Sequence, residues 1–193
     1  MKTAILSLFL WTATVLPALA QSPPHSDKLA TDQGFKALKI GAKLSDVKQF
    51  LMKDTMARST SFEPNDGLMD YEQAIYLVDL KKPGYGEFYG RKIVRIEVYF
   101  SDLFNESEGD TKTIDVVKIF VDKGGEDGFT DMVSLVNKAY GNGTYTFDFP
   151  GPGCENWTWW CEDVLMGAVN WYGSSEDPKL DYYKIEFSSA KGG

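Results

Sequence analysis

Hydrophobic positions along the chain change their period, and each change marks an element. In KIVRIEVYF, Val94, Ile96, Val98 and Phe100 alternate with Ile93, Arg95, Glu97 and Tyr99, the period of two that separates the faces of a strand. The same alternation places Ala74, Tyr76, Val78 and Leu80 on one face of an earlier strand. IDVVKIFVD, from Ile114 to Asp122, reads as another. TYTFDF, WTWWCE, VLMGAVNWYG and DYYKIEFSS complete the set, the last with Tyr183, Ile185 and Phe187 on one side. KKPGYGEFYG is rich in turn residues and fits a long hairpin connection.

Two stretches follow the helical period. Met132, Leu135, Val136, Ala139 and Tyr140 form an apolar stripe, with Thr130 as N-cap and Gly141 as terminator. Val47, Phe50 and Leu51 share a face of a helix expected from about Asp46 to Ala57, capped by Ser45. The order is helix and three strands, then helix and four strands. Hairpin-length connections favour antiparallel pairing, so the expected fold class is α+β, with about seven antiparallel strands and two helices packed on the sheet. Residues 34–190 form a single domain, open to division into helix-plus-strands units at 34–122 and 128–190. DKGGEDG, between the units, lacks the alternating spacing of a calcium loop and reads as a strand-to-helix connection.

The start of the chain adds a location. Residues 1–20 carry Lys2, an apolar run and the small-residue pattern Ala18-Leu19-Ala20, which reads as a secretory signal peptide, so a periplasmic or secreted protein is expected. Residues 21–33, QSPPHSDKLATDQ, are polar and aperiodic and predict a flexible arm. No stretch predicts a membrane span. The formal charge of −8 disfavours nucleic acid and suits a protein partner with a basic surface.

Candidate chemistry is narrow. The one histidine, His25, lies on the expected arm, which disfavours histidine-based triads and histidine-ligated zinc. No phosphate-binding glycine loop, nucleophile elbow or dinucleotide fingerprint is present, and no cofactor or metal is expected. Glu155, Glu162 and Asp163 lie beside tryptophans, as a carboxylate-dependent glycan hydrolase would require, although solvated carboxylates are the ordinary case. CENWTWWC encloses three tryptophans between the two cysteines. Cys154 and Cys161 lack the C-x-x-C spacing of redox pairs and further soft ligands for a metal, and in an exported chain they are expected to form a structural disulfide. On an extended chain Trp157 and Trp159 point to the side of Cys161 and Trp160 to the other, leaving open which side is core and which is a binding platform. The candidate ligand-binding set is Trp157, Trp159, Trp160, Trp171 and Tyr172.

LKIGAKLSDVKQFL, through Ile40, Gly41, Leu44, Ser45 and Val47, resembles the opening motif of small bacterial envelope proteins. These include the small-lipoprotein family of the outer-membrane assembly machine and secreted inhibitory proteins of the β-lactamase inhibitory type. The resemblance implies protein binding or inhibition through an exposed sheet face. The functional expectation is therefore an exported, non-enzymatic binding protein of the bacterial envelope, an inhibitor or accessory factor for a protein partner. The alternative is a carbohydrate-binding module or carboxylate-dependent glycan hydrolase using Trp157 to Trp160.

Overall fold

A computed structural model describes residues 25–52, 57–60, 72–100, 112–125, 127–147, 154–171 and 182–190. The expected signal peptide lies outside them. The chain opens with α1 (Asp27–Asp32), a two-stranded hairpin of β1 (Gly34–Phe35) and β2 (Leu38–Lys39), and α2 (Leu44–Val47) running into a 3-10 turn at Lys48–Phe50. Next come β3 (Ala57–Thr60), β4 (Glu72–Leu77), β5 (Glu87–Phe88), β6 (Arg91–Phe100) and β7 (Ile114–Asp122). After α3 (Gly128–Tyr140) follow β8 (Thr144–Phe147), β9 (Cys154–Trp160), β10 (Val164–Trp171) and β11 (Tyr182–Ser189).

This corrects the expected α+β class of seven strands under two helices. The described residues are mostly strand: one antiparallel sheet of eight strands in the order β3-β4-β6-β7-β11-β10-β9-β8, with β5 paired to β6 off that path, plus the β1–β2 pair and three short helices. The helix expected over Asp46 to Ala57 ends at Phe50 because the sheet takes its backbone. Leu51 bridges Val78, the Met52 N–H donates to the Leu77 carbonyl at 2.8 Å, and the Asp79 N–H donates to that of Phe50 at 2.9 Å. A backbone group bonded to the sheet cannot continue the helical ladder. Ser45 is no cap either; Lys43 holds the cap position without a side-chain bond, and the Ser45 hydroxyl donates to Asp46 at 3.2 Å.

The additional helix, α1, lies where the flexible arm was expected. The Ser26 hydroxyl accepts from the Leu29 N–H at 3.3 Å, Leu29 is fully buried, and the Ser26 N–H donates to the Trp160 carbonyl at 2.8 Å. α3 forms as expected, but begins before Thr130, with Asp127 at its cap, and is rotated. It buries Phe129, Met132, Val133, Val136 and Tyr140 and leaves Leu135 exposed. In β6 a register irregularity between Ile93 and Arg95 sends both Ile93 and Ile96 into the core.

Pairing register assigns the faces. Ile96, Ile119, Ile185 and Ala168 stand opposite one another on successive strands, as do Val98, Val117, Phe187, Met166 and Trp159, and both rows are buried. α3 covers this face: the Phe129 and Tyr183 rings lie 5.1 Å apart, and Trp159 bonds to Asn137. The opposite face is a polar ladder. Glu97, Lys118 and Glu186 are cross-strand neighbours, Arg95 pairs with Glu97 at 3.1 Å, and Lys184 with Glu186 at 3.0 Å. Arg95 also lies 4.3 Å over the Phe120 ring and Lys118 4.4 Å over that of Tyr99.

Candidate functional site

The tryptophans of CENWTWWC divide by the alternation of β9. Trp159 is 1% exposed, and its Nε1–H donates to the Gly141 carbonyl at 2.9 Å and to Asn137 Oδ1 at 3.1 Å. The same Asn137 oxygen accepts the Gly143 N–H at 2.9 Å. Trp159 thus ties the end of α3 to the sheet. It belongs to the core.

Trp157, two residues earlier on the same face, is half-buried. Its ring lies 6.5 Å from that of Trp159 at 25° and 5.4 Å from that of Tyr145. It walls an open groove of about 520 Å³ that runs beside α3 past Thr130, Ser134, Asn137 and Asn142. Trp160 faces the other way, half-buried, with the His25 ring edge-on at 5.7 Å. The structure therefore brings Trp157 and Trp159 together and sets Trp160 apart. Trp171 ends β10, where its backbone pairs with Cys154; its side chain and the whole of Tyr172 lie outside the described residues.

The expected Cys154–Cys161 disulfide is corrected. No disulfide joins the two. Both belong to one extended stretch, so about 23 Å of strand separates them, whereas a disulfide holds its Cα atoms within about 4.4 to 6.8 Å. Cys161 instead closes the β9–β10 turn. Its Sγ accepts the Val164 N–H and donates to the Val164 carbonyl, each at 3.3 Å.

The carboxylates beside the tryptophans do not converge. Glu155 lies within β9, and Glu162 and Asp163 lie exposed in the turn beyond it. Five residues of strand, about 16 Å, separate Glu155 from the end of β9, beyond which Glu162 and Asp163 lie. Paired glycosidase carboxyls stand within about 5 to 9.5 Å.

The strongest surface feature was not singled out in the sequence. β8 is the terminal strand of the sheet, four residues long, and it presents Tyr145 and Phe147 at 49% and 56% exposure. Register puts Tyr145 opposite Trp157 and Phe147 opposite Glu155, so these rings continue the Trp157 face to the rim of the sheet. Alternation in TYTFDF was legible; that the strand ends the sheet was not, because edge position follows from the order of all eight strands. No protein-family model, curated protein or solved structure matches the chain.

Proposed function

We propose that this is an exported, non-enzymatic binding protein that receives an extended segment of a basic partner protein along β8. One observation carries the reading: an edge strand with two exposed aromatic side chains. Open sheet edges template further pairing, and proteins ordinarily blunt them with lysine, proline or a cover. β8, TYTF, has none of the charges or prolines that do so. An added strand would bond to its backbone while Tyr145, Phe147 and Trp157 supply aromatic anchors. The polar ladder on the opposite face already satisfies its own charges and offers less. A net charge of −8 supports steering of a basic partner.

The test is selection of extended peptides against the purified chain, followed by amide hydrogen exchange. Binding should protect the backbone of Thr144–Phe147, and the double variant Tyr145→Lys/Phe147→Lys should weaken it about 100-fold. Ligands that bind the variant as well as the parent would refute the assignment. Protection of β8 that rises with protein concentration and needs no peptide would make a second copy the occupant.

The groove beside Trp157 favours a second reading, glycan binding, since a half-exposed indole flanked by amide and hydroxyl side chains suits a sugar face. Tryptophan fluorescence titrated with cell-wall fragments separates the two. A saturable shift that survives the β8 double variant belongs to the groove.

A further inference from the structure

Among the described residues three that are not glycine take positive φ, and two of the three, Lys36 and Tyr89, line one cavity. They are Gln33 at 51°, Lys36 at 59° and Tyr89 at 43°. Lys36 is the first residue of the two-residue turn between β1 and β2, and Tyr89 with Gly90, at 77°, forms the turn between β5 and β6. Such turns are filled most cheaply by glycine or asparagine, which reach positive φ with little or no steric cost. Here both place a large functional side chain on the wall of a cavity of about 380 Å³. Gln33 sits between Asp32 and Gly34, which also line it. Strained backbone of this kind persists where the surrounding structure holds a side chain in a required place.

The cavity has an aromatic floor and a cationic rim. Phe35 and Phe88 lie 5.7 Å apart, Phe88 and Tyr89 4.9 Å, and Tyr89 and Tyr140 6.1 Å, a continuous series of tilted or edge-on rings. Its two carboxylates are occupied. Asp32 accepts the Tyr140 hydroxyl and the Lys28 ammonium, each at 3.0 Å, and Glu87 accepts the Gly90 N–H at 3.0 Å. Lys36 and Lys39 have no carboxylate partner among the described residues, so the rim is locally positive in a chain of net charge −8.

We propose that this cavity binds a small organic anion with a flat aromatic body, its carboxylate held by Lys36 and Lys39 and its ring laid on Tyr89, which Phe35 and Phe88 back from the core. The volume falls in the range of small-ligand pockets. The site lies on elements other than β8 and β9 and stands apart from the strand-addition reading.

The probe is 4-hydroxyphenylacetate, titrated into the purified chain by calorimetry, with its neutral alcohol analogue and inorganic phosphate in parallel. The carboxylate should bind one site with Kd below about 1 mM, and the alcohol at least tenfold more weakly. Lys36→Gly and Tyr89→Asn remove the side chains while supplying residues suited to positive φ, so neither strains its turn, and in variants whose circular dichroism matches the parent each should weaken binding about tenfold or more. Tyr145→Lys should leave it unchanged. No saturable binding, or equal affinity in Lys36→Gly and the parent, overturns the proposal; phosphate binding as tightly as the carboxylate overturns the aromatic class.

Discussion

Trp159, Asn137 and Gly143 form a lock whose parts depend on each other at the scale of single atoms. A Cβ on Gly143 would stand 2.8 Å from the Trp159 ring and 3.0 Å from the Thr158 carbonyl, closer than packed side chains tolerate. Gly143→Ala should therefore destabilise by about 1 to 3 kcal/mol, as overpacking does. Asn137→Ala leaves the Gly143 N–H without its partner and should cost about 1 to 3 kcal/mol. Urea unfolding of both variants checks this; values within about 0.5 kcal/mol of the parent would mean that the lock contributes nothing. Much here was legible in the sequence, which paired Trp157 with Trp159 and opposed Trp160. The cysteines differ from expectation because export and the lack of other chemistry favour a disulfide without saying where the two thiols stand. An extended strand holds its ends apart. Mapping of the chain without reductant should accordingly yield the 154–161 peptide in its linear, not its cyclised, form.

At the scale of elements, caps and stripes were read from local signals that the tertiary structure redistributed. Ser45 was credited with a cap it does not make, while Ser26, in a segment expected to be flexible, makes one. Ser26→Ala should cost about 1 kcal/mol, and Ser45→Ala should stay within about 0.5 kcal/mol of the parent. Equal effects from the two would contradict this assignment of caps. In α3 the stripe was nearly right. Leu135 belongs to the solvent side and Phe129 and Val133 to the buried side, so Leu135→Gln should be near neutral where Met132→Ala costs about 2 to 5 kcal/mol. Thermal unfolding ranks the pair directly. The rotation was not legible because Leu135 satisfies the helical period as well as Val133 does, and only the position of the sheet decides between them. The irregularity at Ile93 to Arg95 escaped for a similar reason: KIVRIEVYF alternates cleanly, and a bulge changes which residues face the core without changing the pattern.

For the whole molecule, strands and hairpins were visible in the sequence, whereas the way they join was not. β4, β6 and β7 run as neighbours, as do β8 to β11, and the two runs meet through β7 and β11, where Val117 pairs with Phe187 and Ile119 with Ile185. That contact spans some seventy residues of chain, and no local spacing encodes it. The fold so formed buries phenols on sheet, helix and turn, and this gives the molecule a direction of failure. Tyr85, Tyr99, Tyr140 and Tyr183 all have hydroxyls pushed above the ordinary phenol value, with burial the leading cause in each. For Tyr140 the nearby Tyr89 hydroxyl and Asp32 carboxylate add to it, and for Tyr99 the bond to Glu97 at 2.8 Å does. Above the phenol value of about 10, the unfolded chain loses these protons while the folded chain keeps them. The folded state then binds more protons than the unfolded, so stability falls as pH rises. It should be unaffected by these groups from neutrality to about pH 9.5 and drop above about 10, by up to about 1.4 kcal/mol per pH unit for each phenol that stays protonated. Tyrosinate absorbance and circular dichroism followed together decide it: the buried phenols should ionise only as the dichroism of the sheet is lost. A smooth titration of all ten tyrosines with the fold intact would show that these hydroxyls are open to water.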